Sequence, residues 1–176
     1  IYDHRILIFL NGISLKTLPP LSSRYGLIAA VTEQIDRLYT LPQYYESAKC
    51  VLEYMSVSHS RQVAMVEDFR EYLMLERLSH GMDLIDPRIS QLLEHDIAHG
   101  TEYIRTLYHY LDCHRSIQMA CQRLQAHRNT VIYRIGRIKE EFDIDEELEE
   151  GSLNLFLSTA LALWQIEPEE FIRSGE

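Results

Sequence analysis

Between Ser116 and Phe142 the sequence holds two amphipathic stretches joined by only three residues, Gln125-Ala126-His127. The first, Ile117 to Leu124, is short, carries the small pair Ala120-Cys121 at its middle and closes its apolar side with Leu124. The second, Arg128 to Phe142, places Val131, Ile135, Ile138 and Phe142 at i, i+4, i+7 and i+11, which is one stripe of a helix. So short a connection forces two helices to cross at a steep angle, and the crossing needs a small residue where they touch. Ser116 stands where the first helix needs an N-cap.

The charge pattern falls on the same segment. The 176 residues carry 27 acidic and 17 basic side chains, a formal charge of −10, which by itself argues against a nucleic-acid partner. Residues 115–139, however, hold Arg115, Arg123, Arg128, Arg134, Arg137 and Lys139 with no acid, a local +6. Residues 140–150 hold Glu140, Glu141, Asp143, Asp145, Glu146, Glu147, Glu149 and Glu150 with no base, a local −8. Opposite its apolar stripe the second helix shows Arg128, Asn129, Tyr133, Gly136 and Arg137, flanked by Thr130 and Arg134. An arginine fork reads guanine and asparagine reads adenine, whereas Thr, Tyr and further Arg side chains suit phosphates. The pattern is that of a DNA-binding helix-turn-helix with 128–142 as the recognition helix in the major groove. Arg115 and Arg123 extend its basic side. From charge alone, a solvated arginine-rich face is the competing reading. The acidic block is either a solvated face or a surface that repels DNA on one side and orients the domain. Gly136 costs roughly 1 kcal/mol inside a helix, which close approach to another backbone would offset.

The segment SIQMACQRLQAHRNTVIYRIGRI, Ser116 to Ile138, resembles the C-terminal helix-turn-helix domain of the PucR/CdaR family of bacterial transcription regulators. Its most specific part is HRNT-x-x-YR at His127 to Arg134. Leu92-Leu93-Glu94-His95-Asp96 followed by His99-Gly100-Thr101-Glu102 looks like the family's "LL-x-x-D … H-G-T-E" entry. Thr106-Leu107 and Tyr110-Leu111 match its "TL-x-x-YL" helix, and Leu153 to Leu163 its closing apolar helix. The likeness covers nearly all of residues 88–165. It implies a reader of promoter DNA with Arg128, Asn129, Thr130, Tyr133 and Arg134 on or near the recognition helix, and Arg137 joins them by helical spacing. His127 is a further candidate contact. A helix cap is the alternative role for His127 and Thr130, and sideways packing the alternative for Tyr133. Met119 and Cys121 depart from the commoner small-residue pattern of the first helix, a variation in packing.

The first part of the chain mixes strands and helices. Arg5 to Leu10 reads as a strand, Asn11-Gly12 as a hairpin turn into Ile13 to Leu15, and Leu27 to Thr32 and Gln62 to Val66 as further strands. Leu41-Pro42 opens one helix, and Phe69 to Leu78 is another. Within it, GLIAAVT, LPQYYESAKCVL and VEDF…YLML resemble the second half of the degenerate GGDEF-like domain of the same regulators. A working cyclase of that type needs acidic metal ligands at its hairpin, and Asn11-Gly12 has no adjacent carboxylate. No enzyme activity, catalytic residue, cofactor or metal is therefore expected.

Ser79-His80-Gly81 and Asp86-Pro87 punctuate the chain. The expected organisation is a partial GGDEF-like domain over 1–78, a linker over 79–87 and a helical DNA-binding domain over 88–176. The fold class is α+β and mostly helical: a truncated GGDEF-like unit, then an all-α helix-turn-helix domain. In the helical part, Arg88 to Asp96 is one helix. Thr101 is the expected N-cap of the next, whose buried face is Ile104, Leu107, Tyr108 and Leu111. Ser152 opens a last helix reaching about Gln165. It shows Leu155 and Leu163 opposite Leu153, Phe156, Ala160 and Trp164, an apolar excess open to dimerisation or to burial within the domain.

Other constellations carry less. No apolar run reaches the roughly 20 residues that span a bilayer, so no membrane partner is expected. Cys50, Cys113 and Cys121 are odd in number and form no CxxC pattern, the usage of a reduced, cytoplasmic protein. His95 and His99 at i, i+4 have metal-pair spacing, but packing accounts for them better. Cys113 and Cys121 read as packing thiols, and Met55, Met65, Met74 and Met82 as core fillers. Because the chain opens on Ile1, it reads as the C-terminal part of a longer protein whose N-terminal sensor binds the effector. The expected partner is double-stranded operator DNA, read by a homodimer across two half-sites. The runner-up is a protein-interaction or ligand-sensing module with a structural helix-turn-helix, and a degenerate nucleotide cyclase comes third.

Overall fold

The computed structural model describes residues 5–9, 18–59, 61–80, 85–145 and 152–172. The expected turn at Asn11-Gly12, the segment Ile13 to Leu15 and the acidic residues Glu146, Glu147, Glu149 and Glu150 lie outside these. The elements are α1 (Leu18–Tyr25), β1 (Ala29–Val31), α2 (Leu41–Ser58), β2 (Val63–Met65), α3 (Arg70–Leu78), α4 (Pro87–His99), α5 (Tyr103–Asp112), α6 (Ile117–Leu124), α7 (Arg128–Phe142) and α8 (Leu153–Ile166). Short 3-10 turns cover Leu38–Thr40, Val66–Phe69 and Pro168–Phe171. The chain is mostly helical with one small parallel sheet, and the helix-turn-helix region is all-α. It divides into two compact units, one ending at Phe69 and the other beginning at Arg70.

In the first unit β1 and β2 pair in parallel, with Ala29 opposite Val63, Ala30 opposite Ala64 and Val31 opposite Met65. Parallel strands need a long crossover, and α2 supplies it. Pro42 sits in its first turn, and His59 ends it in the left-handed region at φ 50°. Val51, Met55, Ala64, Val66 and Phe69 form the buried centre. Tyr54 meets the Phe69 ring edge-on at 5.8 Å, and the Arg61 guanidinium lies over that ring at 5.5 Å. The strand expected at Arg5 to Leu10 is not seen in its described part. Arg5 forms a single bridge, and Ile6 to Phe9 are irregular and exposed. A continuous apolar run holds as a strand only where both of its faces are covered, and here they are not.

The second unit is built around α5, which packs against α4, α6, α7 and α8. Ile104 and Leu107 of α5 are buried against a core that includes Ile89 and Leu92 of α4, Val131 and Ile138 of α7, and Leu155 and Leu163 of α8. Helix α3 packs on α8 and on the Pro168–Phe171 turn, with Tyr72 against Trp164 at 5.7 Å. Of the segment 79–87, expected as a linker, the described residues 79–80 and 85–87 fall within this unit, and residues 81–84 lie outside the described ones.

Of the two roles open to the Leu155 and Leu163 face of the last helix, burial within the unit is the one seen. Leu155 and Leu163 are 1% and 0% exposed, while Leu153 is 70% exposed. Ser158, Thr159, Ala160 and Ala162 are small, so neighbouring helices approach α8 closely on that side. The Ser158 hydroxyl accepts the Asp86 N–H at 3.0 Å, and the Thr159 hydroxyl donates to the Leu155 carbonyl at 2.7 Å.

Two carboxylates fix the helix starts. Asp86 caps α4 by accepting the Arg88 N–H at 2.9 Å. The Arg88 guanidinium grips the same carboxylate through Nε at 3.0 Å and Nη2 at 2.7 Å, and its Nη1 donates to the Asp143 carbonyl at the end of α7 at 2.7 Å. That guanidinium holds the Asp86 carboxyl below its ordinary value. At the other end of α4, Gly100 turns the chain at φ 64°, and Asp96, 5% exposed, points its carboxylate at the start of α5. It accepts the N–H groups of Tyr103 at 3.0 Å and Ile104 at 2.8 Å, and the Thr101 hydroxyl also donates to it. This corrects the expectation that Thr101 caps α5. Glu102 holds the N-cap position without a side-chain bond, and the cap comes from the preceding helix. His95 stacks on Tyr103 at 5.3 Å and on His99 at 4.3 Å, so both histidines pack in this corner.

Replacing Asp96 by Asn puts an amide where two backbone donors converge. We expect it to destabilise the second unit by about 2–3 kcal/mol in denaturant titrations; an unchanged midpoint would remove the cap from its central role. Because the Asp86 carboxyl is depressed in the folded state, its contribution is present above the ordinary value of 3.8 and lost as pH falls through the lower folded value. Acid unfolding of Asp86→Asn should therefore show a shallower pH dependence in that window than wild type.

Candidate nucleic-acid interface

Helices α6 and α7 have the boundaries the sequence suggests. The Ser116 hydroxyl accepts the Met119 N–H at 3.4 Å, and Ala120 is fully buried where α6 meets α5 and α7. Helix α6 stops because Gln125 enters the left-handed region at φ 50°. The Gln125 N–H then bonds the Gln122 carbonyl at 3.4 Å and the Ala126 N–H bonds the Cys121 carbonyl at 3.1 Å, the paired bonds of a Schellman ending. His127 returns to extended backbone and its Nδ1 accepts the Asn129 N–H at 3.2 Å. The cap role of His127 is thus the one its geometry carries.

Val131, Ile135 and Ile138 are buried and Phe142 half-buried, so the apolar stripe faces inward. Arg128, Asn129, Thr130 and Tyr133 are exposed together on the first two turns of α7, Tyr133 by 62%. Arg123 is exposed on α6, and Arg115 is exposed in the α5–α6 turn, where it and His114 both have positive φ. The site therefore presents a forked cation, an amide, a hydroxyl and a phenol at a helix N-terminus, whose dipole also favours anions.

The remaining cations are engaged otherwise. Arg134 is half-buried, with Nη2 2.6 Å from Glu102 Oε2 and Nη1 donating to the Thr106 hydroxyl at 3.2 Å. Arg137 pairs with Glu141 and lies 3.9 Å from Glu140; the Glu141 carboxylate raises its guanidinium above the ordinary value. Lys139 pairs with Asp145. The acidic block and the basic island thus interlock at their junction. The Arg137–Glu141 spacing of i, i+4 was a legible signal of this, while the Glu102–Arg134 pair, 32 residues apart, had none.

Gly136 is half-buried on α7, and a Cβ built there meets nothing within 4 Å. The fold itself does not require this glycine. Gly136→Ala should therefore raise the stability of the second unit by about 1 kcal/mol. Gln125→Gly should also raise it, because glycine removes the strain of a left-handed Cβ at an exposed position. Thermal melts check both, and a lower melting temperature for either would contradict the backbone assignment at that residue.

Residues 103–161 match the PucR C-terminal helix-turn-helix domain. No curated protein and no solved structure matches the chain. The matched segment runs from the start of α5 into α8 and contains the whole α6–α7 pair. The second unit therefore carries a helix-turn-helix domain of the PucR type, which points in general terms to DNA-binding transcription regulation.

Proposed function

We propose that this chain is the DNA-reading part of a sequence-specific transcription regulator, with α7 entering the major groove by its N-terminal half. The observation that carries this reading is the exposed group Arg128, Asn129, Thr130 and Tyr133, held outward by the buried stripe Val131, Ile135 and Ile138. Arg128 is the guanine-reading fork, Asn129 an adenine reader, and Thr130 and Tyr133 meet the phosphates. Arg115 and Arg123 approach the backbone on either side, and His127 holds the helix start. The protein reads two half-sites as a homodimer, in the manner of CdaR-like regulators, and an N-terminal sensor supplies the effector response. The first unit, with its β1–α2–β2 crossover, is part of a GGDEF-like domain used for contacts and signalling rather than catalysis.

The test is fluorescence anisotropy with a duplex that the wild-type chain selects from a random library, across a salt series. Affinity should fall steeply with salt, as phosphate contacts release counterions. Arg128→Ala should lose about 1–3 kcal/mol on the selected duplex and relax discrimination at one base pair. Equal binding by wild type and Arg128→Ala would reject the recognition-helix assignment. Salt-independent binding, or no selected duplex, would favour an interaction module with a structural helix-turn-helix.

A further inference from the structure

We propose that Glu102 and Arg134 form a clamp that sets how α7 stands on α5, so that Arg134 is a positioning residue of the DNA reader and not a DNA contact. The inference rests on the DNA-reading function above. Arg134 lies three residues after Val131 and four before Ile138, both fully buried, so its side chain leaves α7 beside the buried stripe. It leaves on the side away from Asn129, Tyr133 and Gly136. Its side chain is 21% exposed, and both terminal nitrogens are used within the domain. Nη2 lies 2.6 Å from Glu102 Oε2, and Nη1 donates to the Thr106 hydroxyl at 3.2 Å. That hydroxyl in turn donates to the Glu102 carbonyl at 2.6 Å, so it can only accept from the guanidinium.

Glu102 is the N-cap residue of α5 and Thr106 follows one turn later, at the helix start that the Asp96 carboxylate already fixes at Tyr103 and Ile104. The clamp therefore ties the middle of α7 to the capped start of α5. Arg137 contrasts with it. Its described ion-pair partners Glu140 and Glu141 lie on α7 itself, and it reaches α5 through a side-chain hydrogen bond with Tyr103 and not through a carboxylate. A phosphate that drew Arg134 away would also leave the Glu102 carboxylate uncompensated beside DNA, a repulsion that keeps the pair closed.

The test uses the full chain with Arg134→Gln, Arg134→Lys, Glu102→Gln and the double variant Arg134→Gln with Glu102→Gln. Anisotropy is read on the wild-type-selected duplex and on a random duplex, across salt, well below every variant's melting temperature. The clamp predicts that Arg134→Gln and Glu102→Gln each lower the ratio of selected to random affinity by about tenfold, with the slope of log affinity against log salt unchanged on either duplex. Lysine should not rescue the ratio, because it lacks the fork that spans Glu102 and Thr106. The double variant should be no worse than either single, since one pair is broken in all three. A loss of stability alone would leave the ratio unmoved and overturns the positioning role. A direct phosphate contact would show as a slope reduced by about 1 in Arg134→Gln, retained binding in Arg134→Lys, and equal or tighter binding in Glu102→Gln. That pattern overturns the clamp. Should Arg134→Gln not fold, the lysine and Glu102 variants decide alone. A wild type that selects no duplex instead overturns the DNA-reading function on which the clamp rests.

Discussion

The buried carboxylate of Asp96 is the interaction on which the rest of the helical unit depends. Two backbone N–H groups at the start of α5 and the Thr101 hydroxyl converge on it at the end of α4. A helix start buried without partners would leave several donors desolvated, each at a cost of about 1–3 kcal/mol. With the cap in place, α5 can occupy the centre, with Ile104 and Leu107 fully buried and four helices laid against it. Helix α7 inherits its position from that centre, through its own buried stripe and through the Arg134 pair at Glu102.

The charge of the chain takes on a different meaning in the fold. An island of +6 in an acidic protein suggests six cations available to phosphate, but the structure divides them. Arg134 points back to Glu102, while Arg137 and Lys139 pair with Glu141 and Asp145 of the acidic block. Arg115, Arg123 and Arg128 are exposed. The acidic block thus neutralises the C-terminal half of α7 and leaves the positive character at its N-terminal half. This grades the helix, attractive to an anionic partner at its N-terminal end and neutral to repulsive at its C-terminal end.

The helix-turn-helix was legible because every signal that defines it is local. The Ser116 cap, the three-residue turn, the buried Ala120 and the Val131, Ile135, Ile138 stripe all lie within 27 residues of Ser116 to Phe142. The two strands and the helix between them were legible from β-rich runs on either side of Leu41-Pro42, but their parallel pairing was not. What escaped were features that depend on distant partners. Thr101 has the chemistry of an N-cap, yet a carboxylate five residues earlier does the capping because Gly100 turns it onto α5. Helix α8 is apolar almost all round, so its sequence left the Leu155 and Leu163 face open to dimerisation or to burial, and the structure buries it. Arg5 to Leu10 reads as a strand by composition, but its apolar side chains are uncovered among the described residues.

The central claim is that the N-terminal half of α7 reads base edges in the major groove. Methylation of guanine N7 in the selected duplex tests it most directly, because N7 lies on the major-groove floor and is an acceptor for an arginine fork. The account predicts that N7 methylation at one guanine per half-site abolishes selective binding by the wild-type chain, while a minor-groove ligand bound to the same duplex leaves it intact. Binding that survives N7 methylation and is lost to the minor-groove ligand would contradict it.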